Sequence, residues 1–119
     1  MKVAITAQGK DLDSQVDPRF GRAAYILIVD TVDEKVEALD NSENVNAFKG
    51  AGIQAAAMVG DSGADVLLTG FCGPNAFKTL TAAGVKVAND VSGKVRDALE
   101  AFNNGKVPLT DSANVEGHW

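Results

Sequence analysis

Residues 64–88 read ADVLLTGFCGPNAFKTLTAAGVKVA. The apolar run around Val66-Leu67-Leu68 stops at Thr69-Gly70, and Pro74 opens a segment in which Ala76, Phe77, Leu80 and Ala83 form one helical stripe. Gly84 closes that segment before a second short apolar run, Val85 to Ala88. Proline suits the first helical position because its missing N–H would be unpaired there anyway, and glycine suits the exit. Strand, helix and strand in this order make a βαβ unit, with parallel strands and a right-handed crossover. The class is therefore α/β.

The rest of the chain extends this unit on both sides. Upstream, GAGIQAAAMVG (residues 50–60) has the spacing of a closely packed helix that Gly60 or Gly63 can stop. Before it come three strand-like runs: KVAIT (2–6), AAYILIVD (23–30) and KVEALD (35–40). The second is apolar on both faces, as a central buried strand is. A polar turn at Asp33-Glu34 links it to the more exposed third run, which predicts a hairpin. Downstream, Ser92 is the expected cap of a last helix whose Val95, Ala98, Leu99 and Phe102 share a stripe, closed by Gly105. The predicted order is β-β-β-α-β-α-β-α: a five-stranded mixed sheet with helices on its faces. Residues 1–104 form one domain in this reading, and residues 105–119 an irregular tail without periodicity.

The chain of 119 residues is long enough to bury a core without staples, and its single cysteine forms no internal disulfide. With no apolar leader or spanning stretch, a cytoplasmic protein with no membrane partner is expected. A net charge of −5 argues against a general nucleic-acid binder. It does not exclude an anionic ligand, which needs only local positive charge and directed amides.

In open α/β sheets, ligands gather beyond the carboxyl ends of parallel strands, at helix N-termini. Two segments should converge there: GFCGPNA (70–76), and the long loop QGKDLDSQVDPRFGRA (8–23), with NSENVNAFKGAG (41–52) as a third. In the first, Gly70 and Gly73 permit a close backbone approach, and amides after Pro74 point outward; a plain strand-to-helix turn uses the same residues. Cys72, near a helix N-terminus, is expected to have a stabilised thiolate and stands as the candidate metal contact. Free cysteine is equally at home in a core. In the second segment, Arg19 and Arg22 offer planar donor forks for oxyanions and Phe20 an apolar wall. The competing reading is an Asp17–Arg19 surface pair that merely orders the loop.

Other motifs fail. VGDSGAD (59–65) resembles an acidic phosphatase loop, yet the first strand ends in Thr6-Ala7-Gln8 without the aspartate nucleophile such enzymes need. A receiver domain lacks its acidic cluster for the same reason. His118 is a lone residue near the C-terminus, and no nucleophilic triad is present.

DPRFGRAAYILIVD (17–30), GAGIQAAAMVGDSGADVLLTG (50–70) and GPNAFKTLTAAGVKV (73–87), in this order, resemble the dinitrogenase iron–molybdenum cofactor biosynthesis family of the NifX and NifB C-terminal type. The likeness covers roughly residues 1–104. It implies a ribonuclease H-like fold, without nuclease activity, since KVAIT supplies no carboxylate. It also implies a protein that binds, carries or helps assemble a metal–sulfur cluster and is not an enzyme. A short stand-alone branch of the family holds a molybdenum–copper sulfide cluster, the cofactor expected here; the iron–molybdenum cofactor or its precursor is the alternative. Some relatives carry a histidine before the Gly-Ala-Gly; this chain has Asn46-Ala47-Phe48-Lys49 there, so that segment offers no imidazole ligand. A sulfide-rich anion brings its own bridging ligands. Arg19, Phe20, Arg22, Lys49, Gly70, Phe71, Cys72, Gly73 and Asn75 are the residues expected to hold it. Two other functions compete. One is a regulatory or adaptor module for a partner such as an ATPase or a cofactor-assembly protein. The other is a small thiol-dependent enzyme built on Cys72.

Overall fold

KVAITA forms the strand at the middle of the sheet, and Val3, Ala4, Ile5, Thr6 and Ala7 all have no exposed surface. The computed structural model describes residues 1–42 and 50–110. Along these run β1 (Lys2–Ala7), β2 (Tyr25–Asp30), β3 (Val36–Asp40), α1 (Ala51–Asp61), β4 (Val66–Leu68), α2 (Pro74–Ala82), β5 (Lys86–Ala88) and α3 (Val95–Asn103). The sheet order is β3-β2-β1-β4-β5. β2 is antiparallel to both β1 and β3, whereas β4 is parallel to β1 and to β5. The mixed five-stranded sheet read from the sequence is thus the observed one.

Because side chains alternate along a strand, the sheet feeds two cores. On one face Ala4, Ile26, Ile28, Leu67 and Val87 pack against Ala55, Ala56 and Val59 of α1 and Ala76 and Leu80 of α2. On the other, Val3, Ile5, Leu27 and Leu68 pack against Val95 and Ala98 of α3, with Leu99 and Phe102 half-buried beside them. The stripe read for α3 is therefore the buried one. In α2, Ala76 and Leu80 are buried and Phe77 half-buried, but Ala83 lies past the last turn and is exposed.

Helix ends follow backbone chemistry more than side-chain caps. Gly63 and Gly84, each at φ +80°, follow α1 and α2 in the left-handed region that glycine occupies at low cost. Ser92 does not cap α3. That helix begins at Val95, whose N–H donates to Ser14 O (2.9 Å), and Arg96 N–H donates to Leu12 O (2.8 Å). The loop after β1 satisfies those amides, so no hydroxyl is needed there. The expected tail begins with backbone pairing of its own: Thr110 N–H donates to Val87 O (2.8 Å) at the edge of β5. His118 and Lys49 lie outside the described residues. No described helix is long and apolar enough to cross a membrane.

Candidate functional site

The carboxyl ends of β1, β4 and β5 lie side by side, and the segments leaving them are joined by backbone hydrogen bonds. Phe71 N–H donates to Pro18 O (2.6 Å), and Phe20 N–H donates to Phe71 O (3.1 Å). This pairs Arg19 with Phe71 as a one-residue parallel bridge. The turn is held from its other side, where Asp90 N–H donates to Gly70 O and Val91 N–H to Thr69 O. The loop 17–22 and the turn 70–73 therefore meet, as the position of strand ends in an α/β sheet predicts.

Gly70 has a different purpose from the one expected. A Cβ there would sit 2.7 Å from both Cα and O of Pro18, so the absent side chain makes room for the neighbouring loop. Gly73, at φ −74° and ψ 167°, has ordinary extended backbone and stands as N-cap of α2.

Buried polar groups fasten the same junction. Thr6 Oγ1 donates to Asp17 O (2.7 Å) and lies 2.9 Å from Thr69 Oγ1, while Asp17 N–H returns to Thr6 O (2.9 Å). Asp17 is itself buried; its Oδ1 accepts from Arg19 N–H (3.0 Å) and lies 3.8 Å from Arg19 Nε. The pair is thus half buried instead of a surface pair, and the backbone on which Arg19 stands is fixed by the bond from its own N–H to the Asp17 carboxylate. Asn41, fully buried, donates from Nδ2 to Ala23 O (2.8 Å) and holds the far end of the 3-10 turn Phe20–Arg22. That turn lies against the start of α1: a Cβ on Gly21 would meet Gly52 N at 2.7 Å. These fasteners were not singled out from sequence. Their signal is a polar residue ending an apolar strand, at Thr6, Thr69 and Asn41.

The site's expected donors differ in their exposure. The Arg19 side chain is 49 % exposed, Arg22 is half-buried and Asn75 is exposed. No side chain caps the N-terminus of α2, whose first intrahelical bond runs from Phe77 N–H to Gly73 O. The amides of Asn75 and Ala76 thus precede the helical ladder and favour negative charge. Phe71, 36 % exposed, is the aromatic at the rim; Phe20, expected as the apolar wall, is 1 % exposed and belongs to the core. Among the described residues no group of three or more His, Cys, Asp or Glu could hold a metal ion.

Cys72 reverses one expectation. Its side chain is fully buried in the core beside α2, and burial pushes the thiol up to about 12 from 9.0. Desolvation outweighs the helix N-terminus that was expected to lower it. Below pH 9 the thiol is neutral folded or unfolded; above it the unfolded chain ionises and the native one does not. Stability is therefore lost as pH rises from 9 toward 12, by about 1.4 kcal/mol per unit. The expected outcome is that urea midpoints of the native chain fall faster above pH 9 than those of Cys72→Ala. Parallel pH profiles for the two proteins would count against a buried thiol.

The family model described as dinitrogenase iron–molybdenum cofactor matches residues 1–105. The chain is similar to the apo form of the orange protein from Desulfovibrio gigas, with 47% identity, 96% of each chain covered and a TM-score of 0.93. It is also similar to a protein from Thermotoga described as a candidate NifB, with 38% identity, 98% of each chain covered and a TM-score of 0.83. A protein from Methanocaldococcus jannaschii described as a candidate dinitrogenase shares the fold at 16% identity, covering 94% of this chain and 96% of that one, with a TM-score of 0.72. No curated protein matches the sequence.

Proposed function

The chain belongs to the dinitrogenase iron–molybdenum cofactor family, and from that membership we propose that it binds an anionic metal–sulfur cluster as cargo, carrying it or helping to assemble it. The reading extends to a molybdenum–copper sulfide, held without covalent bonds and without turnover. The observation that carries it is the pairing of Arg19 with Phe71, which joins a half-exposed arginine and an aromatic on the segment leading into α2, whose start no side chain caps. This donor set suits the cargo. Guanidinium and amide N–H groups donate to sulfide or oxo groups on the outside of a cluster whose metals already have bridging ligands. Bare cations would instead need several deprotonated side chains, and the Cys72 thiol is buried and neutral.

The 3-2-1-4-5 strand order with an antiparallel β2 supports a ribonuclease H-like assignment of the fold. A fully buried Thr6 at the end of β1 gives no support to a nuclease chemistry there. The cargo is tested by mixing the protein anaerobically with tetrathiomolybdate and copper. A visible absorption band co-eluting with the protein, with molybdenum and copper in fixed ratio, is the expected result. Metal that elutes apart from the protein would overturn the proposal.

A further inference from the structure

The strand β3 forms one border of the sheet, and its open side has a readable hydrogen-bonding pattern. Asp30 N–H donates to Lys35 O, and Asn41 N–H donates to Ala24 O, so the bonded pairs of the β2–β3 ladder are 30 with 35 and 24 with 41. Bonded pairs alternate along an antiparallel ladder, so Glu37 and Leu39 also turn their backbone groups inward to β2. Val36, Ala38 and Asp40 then turn N–H and C=O outward. All three are exposed, and among the described residues β3 pairs only with β2.

A groove of about 490 Å³ runs beside this edge, between β3 and α1. Its apolar floor is Leu39, Ala57 and Met58, and its rim carries three carboxylates, Glu37, Asp40 and Asp61, with no lysine or arginine in the lining. The Asp40 carboxylate accepts from Ser42 N–H (2.8 Å), which holds it below the usual carboxylate range. An unpaired strand edge is a template for another strand, and natural proteins protect such edges with charge. Here the charge is of one sign and lines a groove.

We infer that β3 and the β3–α1 groove dock an extended segment of a partner protein, in which lysine or arginine alternates with aliphatic residues. The segment adds a sixth strand by bonding to Val36, Ala38 and Asp40. Because alternate side chains share a face, its basic residues lay their alkyl stems over Leu39, Ala57 and Met58 and reach Glu37 and Asp61 on the groove side, while its aliphatic residues lie on the side of Val36 and Ala38. A second copy of this chain does not fit the same edge. Antiparallel self-pairing about Ala38 would place Glu37 diagonal to Glu37 of the copy and gather the carboxylates of both chains in one seam. Nucleic acid is repelled by the same charges.

The test titrates the full chain with a capped hexapeptide of alternating lysine and valine. Its control is the same peptide N-methylated at alternate amides, which keeps the charge and removes the strand pairing. The expected result is that amide resonances of Val36, Ala38 and Asp40 shift with the first peptide and not with the control. Ala38→Pro removes one outward N–H while leaving the β2 ladder intact, and should weaken binding at least tenfold. Glu37→Lys with Asp61→Lys should do the same, and keeps the inference testable if the proline variant does not fold. Equal binding of both peptides, unchanged affinity in the charge variant, or no binding would overturn it. So would a concentration-dependent dimer that shifts the same three amides.

Discussion

Replacing Arg19 and Arg22 together by alanine is expected to abolish retention of the cluster on gel filtration, and Arg19→Ala alone should keep a far-ultraviolet spectrum and melting temperature close to those of the parent. Hydrogen bonds to a charged partner contribute about 1.5–3 kcal/mol each, so Arg19→Ala alone should weaken binding roughly ten- to hundredfold. The Arg19 side chain is half exposed, and its contact with Asp17 at 3.8 Å is long, so its loss does little to the fold. The chain as a whole carries a net charge of −5, and an anion approaches it against that field. Removing local cations should therefore be felt more strongly at low salt, where screening is weak. Arg19→Lys separates charge from geometry: the fork is lost and the charge kept, so an intermediate affinity is expected. Full retention of cluster by the double variant would remove the arginines from the account.

Gly70→Ala should have a larger effect on the molecule. The new Cβ would lie 2.7 Å from Cα and O of Pro18, both backbone atoms that cannot rotate away. Either the turn moves off the loop, breaking the bonds from Phe71 to Pro18 O and from Phe20 to Phe71 O, or the strain is held. Overpacking of this kind costs about 1–3 kcal/mol, and more where backbone is the obstacle. A loss of several degrees to more than ten in melting temperature is expected. Cluster binding should fall with it, because Arg19 and Phe71 no longer share a bridge. Gly84→Ala is the control: its φ of +80° makes alanine strained, yet nothing lies within 4 Å of the added carbon. It should lower stability modestly and leave cluster affinity unchanged. If both variants bind equally well, the junction of loop and turn does not build the site.

Much of this architecture is legible in the sequence. The order of strands and helices follows from period-2 and helical spacing, and the meeting of DPRFGR with GFCGPN follows from where parallel strands end. What could not be read were relations between distant residues. Gly70 looked like room for a ligand, because a sequence does not show Pro18 lying against it. Phe20 looked like a pocket wall and is core; the exposed aromatic is Phe71, from the other segment. Cys72 illustrates two opposing forces: proximity to a helix N-terminus is visible in sequence, and burial, which prevails, is a property of the packed chain. Ser92 failed as a cap for a similar reason, since Ser14 and Leu12 carbonyls from a distant loop take the first amides of α3.

The claim that the cluster sits at this junction is tested most directly by the amide spectrum of the protein reconstituted anaerobically with tetrathiomolybdate and copper. Shifts or broadening are expected at Arg19 to Arg22 and at Phe71 to Gly73, Asn75 and Ala76, with the β3 edge at Val36 to Asp40 undisturbed. Perturbations centred elsewhere, with Arg19, Phe71 and Asn75 unchanged, would contradict it.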